Sequence, residues 1–177
     1  MFSILSLVDN PAEGEIQKIM DAILPVTQVK TPIIWQYPHF TWHSAEDYDR
    51  VSLEKELKVL GDQITRFKVR VTGLGVFTGK TRILFLPILK TGELAELQQL
   101  ISTSVQKLSR RPSEYYTPEK WIPHITILSS PEDQHWIPDA IQKLTNQKVD
   151  IMLEINNIAF GQYTGDEAEI IHKYTFR

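Results

Sequence analysis

The spacing of hydrophobic positions changes repeatedly along the chain. FSILSLV (2–8) is a short apolar run that predicts a strand, and EGEIQKIMDAIL (13–24) sets Ile16, Ile19, Met20 and Ile23 on one helical face. Asn10 and Pro11 supply a cap and first turn for that helix. PIIWQYPHFTWH (32–43) reads as extended. Residues 48–65 return to helical spacing, with Val51, Leu53, Leu57, Leu60 and Ile64 expected on the buried side. RFKVRVTGLGVF (66–77) alternates Phe67, Val69 and Val71 with Lys68 and Arg70, the period of a strand with one wet face.

The same order then recurs. RILFLPIL (82–89) predicts a strand, and ELAELQQLISTSVQKL (93–108) a helix with Leu94, Leu97, Ile101, Val105 and Leu108 in phase. KWIPHITIL (120–128) is extended, and PEDQHWIPDAIQKL (131–144) is a helix bent or started near Pro138. VDIMLEINNIAF (149–160) and EAEIIHKYTF (167–176) read as strands separated by a GQYTGD turn. Strands alternating with helices often form a parallel sheet, but the polar–apolar alternation here suits sheets open on one face. The pattern therefore predicts an α+β fold of two similar lobes, each a small, mostly antiparallel sheet backed by helices. A cleft lies between the bare sheet faces. Residues 1–177 are expected to form a single bilobal domain, with approximate halves 1–79 and 80–177.

Composition narrows the class. Of 177 residues, 42% are hydrophobic and 23% charged, as in ordinary soluble globular proteins. The absence of cysteine excludes disulfides, thiolate zinc sites and a cysteine nucleophile, and fits a reducing cytosol. A net charge of −3 leaves no general basic face for gripping long nucleic acid, so any RNA substrate is expected as an end or a fragment. The apolar opening is too short for a signal or a membrane span. The protein is expected to be cytoplasmic, monomeric and free of membrane contact.

The repeat is clearest at YPHFTW (37–42) and IPHITI (122–127). Each reads Pro-His-hydrophobe-Thr-hydrophobe, and each is followed by a serine, Ser44 or Ser129, and then by acidic residues. Side chains alternate along a strand, so His39 and Thr41 share one face, as do His124 and Thr126. Imidazole exists in both protonation states near neutrality. One of a pair can take a proton from water while the other gives one to a leaving oxygen. The threonine hydroxyls can donate to phosphate oxygens as negative charge builds. One such triplet arises by chance; two at matching places in a duplicated chain point to phosphoryl chemistry without metal or other cofactor.

The pair His39-Phe-Thr41-Trp and His124-Ile-Thr126-Ile resembles the paired HxTx signature of the 2H phosphoesterase superfamily, which includes the 2′-5′ RNA ligase and cyclic phosphodiesterase families. The separation of the motifs and the order of elements are similar too. The resemblance implies a pseudo-twofold bilobal fold with His39, Thr41, His124 and Thr126 in a central cleft. It implies metal-independent acid–base cleavage of phosphodiesters, often 2′,3′-cyclic phosphates of nucleotides or RNA ends, with His124 activating water and His39 protonating the leaving oxygen. Joining of RNA ends through a 2′-5′ bond by the reverse reaction, and non-catalytic binding of phosphate ends, stay open as alternatives. Trp42 is bulkier than the aliphatic residue common at its place, and the arginines found beside the motifs in some RNA-end members are missing.

Four further residues are candidates for substrate binding. His43 shares strand parity with His39 and is expected at the cleft rim. Its i, i+4 spacing from His39 would suit metal ligands on a helix, but the extended pattern argues against a metal. Trp35 and Tyr37 have the parity of His39, and Tyr115, followed by Tyr116, precedes the second motif, so these aromatic faces could stack a base. Lys68 and Arg70 are more simply explained by a solvated strand face. His135 and His172 read as structural.

Overall fold

Three antiparallel sheets carry the chain, as the computed structural model shows over residues 1–8, 12–27, 37–130, 136–164 and 168–177. The largest contains β1 (Phe2–Leu7), β2 (His39–Tyr48), β6 (Ser109–Pro112), β9 (Asn157–Tyr163) and β10 (Ala168–Thr175), in the order β10-β9-β1-β2-β6. A second joins β4 (Gly75–Phe77), β5 (Arg82–Pro87) and β7 (His124–Ser130). The third pairs β3 (Phe67–Thr72) with β8 (Asp150–Ile155), and a bridge between Val71 and Ile88 ties it to the second.

Helices α2 (Arg50–Gln63) and α3 (Gly92–Gln106) pack on the five-stranded sheet. Helices α1 (Ala12–Thr27) and α4 (Trp136–Leu144) pack on each other, and α1 reaches β7 and β8. The result is the mixed α+β fold of two sheet-and-helix lobes, with β2 meeting β7 between them. Each lobe draws on both sides of residue 79: α1 backs the later sheets, while α3, β6, β9 and β10 complete the early one.

The helices follow their apolar spacing. In α2, Asp49 caps the amide of Ser52, and Leu53, Leu57 and Leu60 form the buried stripe. Val51 was expected in that stripe but is 67% exposed. It lies two residues from Leu53, about 200° around the helix, on the opposite side. In α4, Pro138 sits in the first turn, where no intrahelical amide is lost. The cap expected at Asn10 and Pro11 lies outside the described residues, as do 32–36 of the expected second extended run.

Two expected strands are each divided. Residues 66–77 break at Gly73, whose φ of +70° only glycine adopts freely, and β3 and β4 enter different sheets. Residues 149–160 break before the buried Asn157, whose side-chain amide pairs like a peptide with Leu7, accepting from its N–H and donating to its carbonyl. That anchor sends β9 to the five-stranded sheet while β8 stays with β3. β9 runs on through Gly161–Tyr163, where a turn was expected, and β6 was not anticipated at all.

Candidate active site

The two histidine strands share a defect as well as a motif. Along β1 and β2, Leu7 faces His39 and Leu5 faces Thr41, but the next partners are Ile4 with His43 and Ser3 with Ser44. Trp42 is skipped. Along β5 and β7, Pro87 faces His124 and Phe85 faces Thr126, and then Leu84 pairs Leu128 and Ile83 pairs Ser129. Ile127 is skipped. A β-bulge of this kind inserts one residue and reverses the faces beyond it. Ser44 therefore rejoins the face of His39 and Thr41, and Ser129 that of His124 and Thr126. The repeated unit is His-x-Thr-x-x-Ser, bulged each time at its fourth position.

These faces meet in a cavity of about 230 Å³ lined by Met1, Ser3, His39, Thr41, Ser44, Ile83, Tyr116, His124, Thr126, Ser129 and Tyr163. All four residues of the two HxT motifs thus stand on one wall system. A larger, more open hollow of about 540 Å³ along α4 is lined, among the described residues, by Asp139, Gln142, Lys143, Asn146 and Gln147.

Each imidazole is held in the same way. His39 Nδ1 donates to the Tyr37 carbonyl at 2.9 Å, and His124 Nδ1 to the Ile122 carbonyl at 2.7 Å. A carbonyl oxygen can only accept, so Nδ1 carries the hydrogen and Nε2 is the nitrogen that gains or loses a proton. The intervening Pro38 and Pro123 favour extended backbone at Tyr37 and Ile122, which fixes where those carbonyls point.

The two imidazoles differ in burial. His39 is 8% exposed, and its pKa falls to about 4, chiefly through desolvation. The Tyr37 carbonyl opposes that fall, and the charge of a protonated His124 deepens it. His124 is less buried; desolvation also lowers its pKa, against the Ile122 carbonyl. His124 lies against two rings, Phe77 at 4.9 Å, edge to face, and Phe85 at 5.1 Å. Gly75 makes room for that bed, since a Cβ there would run into the Phe85 ring.

Thr41 has a second layer of support. Its hydroxyl is hydrogen-bonded to the Tyr116 hydroxyl, and its carbonyl accepts from Trp121 Nε1 at 2.8 Å. Trp121 stacks on Trp42, the bulged residue. Gln98, buried in α3, donates to the Trp42 carbonyl at 3.3 Å and the Tyr116 carbonyl at 2.8 Å. One amide thus pins both the bulge and the tyrosine beside Thr41.

Several expectations are corrected. His43 is in the core, not at the cleft rim: it is 3% exposed, bonded through Nδ1 to the Tyr48 hydroxyl at 2.6 Å, and lowered to about 4 by burial. The bulge at Trp42 is the reason, because it breaks the parity on which the expectation rested. Tyr115 is 73% exposed and off the cavity wall, where Tyr116 stands instead. Tyr37 exposes its side chain outside the lining and contributes its carbonyl to His39. Trp35 lies outside the described residues, as does His135. Arg70 forks onto Asp150 at 2.7 and 2.8 Å on an exposed strand face. His172 comes within 4.0 Å of Glu54 on the surface. The cavity residues missed from sequence are Met1, Ser3, Ser44, Ile83, Ser129 and Tyr163; the two serines repeat with the motifs, and that repetition was the available signal.

Among the described residues, no three His, Cys, Asp or Glu side chains are grouped to hold a metal, and no helix is long and apolar enough to cross a membrane. No curated protein matches the sequence significantly. Among solved structures, TT0787 of Thermus thermophilus aligns with a TM-score of 0.66 at 14% identity, covering 99% of this chain and 97% of that one. Escherichia coli LigT complexed with ATP aligns at 0.61 and 15% identity over 99% of both chains. Kluyveromyces marxianus Usb1 with uridine monophosphate aligns at 0.55 and 12% identity over 96% of each. These likenesses establish the fold. The model of the 2′-5′ RNA ligase superfamily matches residues 31–167, more than half of the sequence and both histidine motifs, so the chain belongs to that superfamily.

Proposed function

We propose that the chain, acting as one bilobal unit, is a metal-independent phosphodiesterase that hydrolyses 2′,3′-cyclic or 2′-5′-type phosphodiesters of nucleotides or RNA ends. The observation that carries this reading is the convergence of two bulged His-x-Thr strands on one cavity. The family to which the chain belongs supports phosphodiesterase or ligase chemistry. The complexes of LigT with ATP and 3′-AMP, and of Usb1 with uridine monophosphate, support a nucleotide-type ligand.

The burial of the two imidazoles suggests their roles. The first proton taken up goes to His124, the more exposed, and its charge then holds His39 neutral. Neutral His39 accepts a proton from water through Nε2 as the water oxygen bonds to phosphorus. The bond from phosphorus to the leaving oxygen breaks, and His124 protonates that oxygen. This assignment reverses the one implied by resemblance. The Phe77 and Phe85 rings pack against His124 and fix where its Nε2 points. Thr41 and Thr126 donate to the non-bridging oxygens.

The test is turnover on 2′,3′-cyclic nucleotides, cyclic-ended RNA and 2′-5′ oligonucleotides, with and without EDTA. Hydrolysis that survives the chelator is expected. Loss on chelation with recovery on adding one divalent ion would transfer the site to metal-assisted chemistry. A protein that binds these esters without cleaving any of them would be a phosphate-end reader.

A further inference from the structure

The pseudo-twofold cavity is chemically lopsided. The backbone registers of its two halves match: Ser3 faces Ser44 as Ile83 faces Ser129, and Leu5 faces Thr41 as Phe85 faces Thr126. The hydroxyls do not match. Ser44 Oγ donates its hydrogen to the Phe2 carbonyl at 3.0 Å and accepts from Ser3 Oγ at 3.3 Å. Ser129 faces Ile83, whose side chain has no polar atom. Among the described residues, none hydrogen-bonds the side chain of Ser129 or of Thr126. Yet Ser129 is only 7% exposed and lines the cavity. The Ser129 hydroxyl, committed to no protein partner and opening onto the cavity, is free to bond whatever occupies it.

We infer that Ser129 is a further substrate-contacting residue, donating from beside Thr126 to a non-bridging oxygen of the bound phosphate, while its twin Ser44 is spent inside the protein. This rests on the phosphodiesterase reading above and adds an orientation to it. Thr41, which can accept from Tyr116 and still donate, supplies one hydroxyl from the first half; Thr126 and Ser129 supply two from the second. The phosphate therefore sits toward β7, and a substrate enters the near-symmetric cavity in one sense only. The residues opposite add to the difference, since Ser3 donates a hydrogen bond to Ser44 and Ile83 has none to offer Ser129.

The experiment compares Ser129→Ala, Ser44→Ala and Ser129→Thr in two assays: hydrolysis of a 2′,3′-cyclic nucleotide, and binding of inorganic phosphate by calorimetry. Removing one hydrogen bond to a charged group is expected to lower kcat/KM about 10- to 100-fold in Ser129→Ala and to weaken phosphate binding in parallel. Ser129→Thr, which keeps the hydroxyl, should recover most of the loss. Ser44→Ala should act mainly on thermal stability, with an effect on kcat/KM several-fold smaller than that of Ser129→Ala. Equal losses in the two alanine variants, or none in Ser129→Ala, in either assay would overturn the assignment. A wild-type protein that binds phosphate but cleaves no diester would sink the phosphodiesterase reading while leaving Ser129 to be judged on binding; one that does neither overturns both.

Discussion

At the scale of single residues, the site depends on two imidazoles that share chemistry but not surroundings. Activity needs His39 neutral and His124 charged. His39 becomes protonated only as pH falls toward about 4, and His124 loses its proton below the ordinary histidine value of 6.5. The profile of kcat/KM should therefore be a bell on the acid side of neutrality, its two limbs belonging to the coupled pair. His39→Ala should remove the acid limb and His124→Ala the alkaline one, each lowering turnover about 10²- to 10⁴-fold. Swapped limbs would restore the roles implied by resemblance. A profile flat from pH 4 to 8 would remove both histidines from proton transfer.

At the scale of elements, the bulges decide what faces the cavity, and they account for most of what sequence reading missed. Strict alternation placed His39 and Thr41 together and was right up to Trp42; beyond it the same rule sent His43 to the rim when it belongs in the core. A bulge leaves no hydrophobic signature when both faces around it are apolar, as at Trp42-His43 and Ile127-Leu128. The divided strands failed for a related reason. Gly73 carried a local signal that was passed over when 66–77 was read as one strand, whereas the role of Asn157 depends on Leu7, 150 residues earlier. Helices, whose apolar spacing is local, were legible over their described residues except at Val51 and at Leu108, which lies past the end of α3. Two element-level outcomes follow. Gln98→Leu removes both donors that hold the first bulge and Tyr116, and should cost about 1–3 kcal/mol of stability through the Trp42 and Tyr116 carbonyls it leaves unpaired. It should also depress kcat more than KM, because it moves Thr41 and Tyr116 and leaves the β7 side of the cavity wall in place. Gly75→Ala drives a methyl into the Phe85 ring and so disturbs the bed of His124. It should shift the alkaline limb of the pH profile, and an unchanged limb would show that the rings only pack.

At the scale of the molecule, the histidines couple the fold to acid. An unfolded histidine takes up its proton near pH 6.5, whereas His39 and His43, held neutral inside, resist protonation until about 4. Between those values the unfolded chain binds more protons than the folded one, so stability rises with pH through this window and is lost as acid is added. Each histidine can withdraw on the order of 2–3 kcal/mol across it, a large share of the margin of a domain this size. Asp150, held at about 2 by the Arg70 guanidinium, acts lower on the scale and leaves this window to the histidines. His43 separates folding from catalysis, since it sits in the core bonded to Tyr48 and off the cavity wall. In His43→Gln, the slope of unfolding free energy between pH 6.5 and 4.5, measured by urea titration, should drop by up to about half, His39 and, to a smaller extent, His124 supplying the rest. The acid limb of activity, set by His39, should stay where it is. An undiminished slope in this variant would mean that His43 is already protonated in the folded protein and that its burial does not hold it neutral.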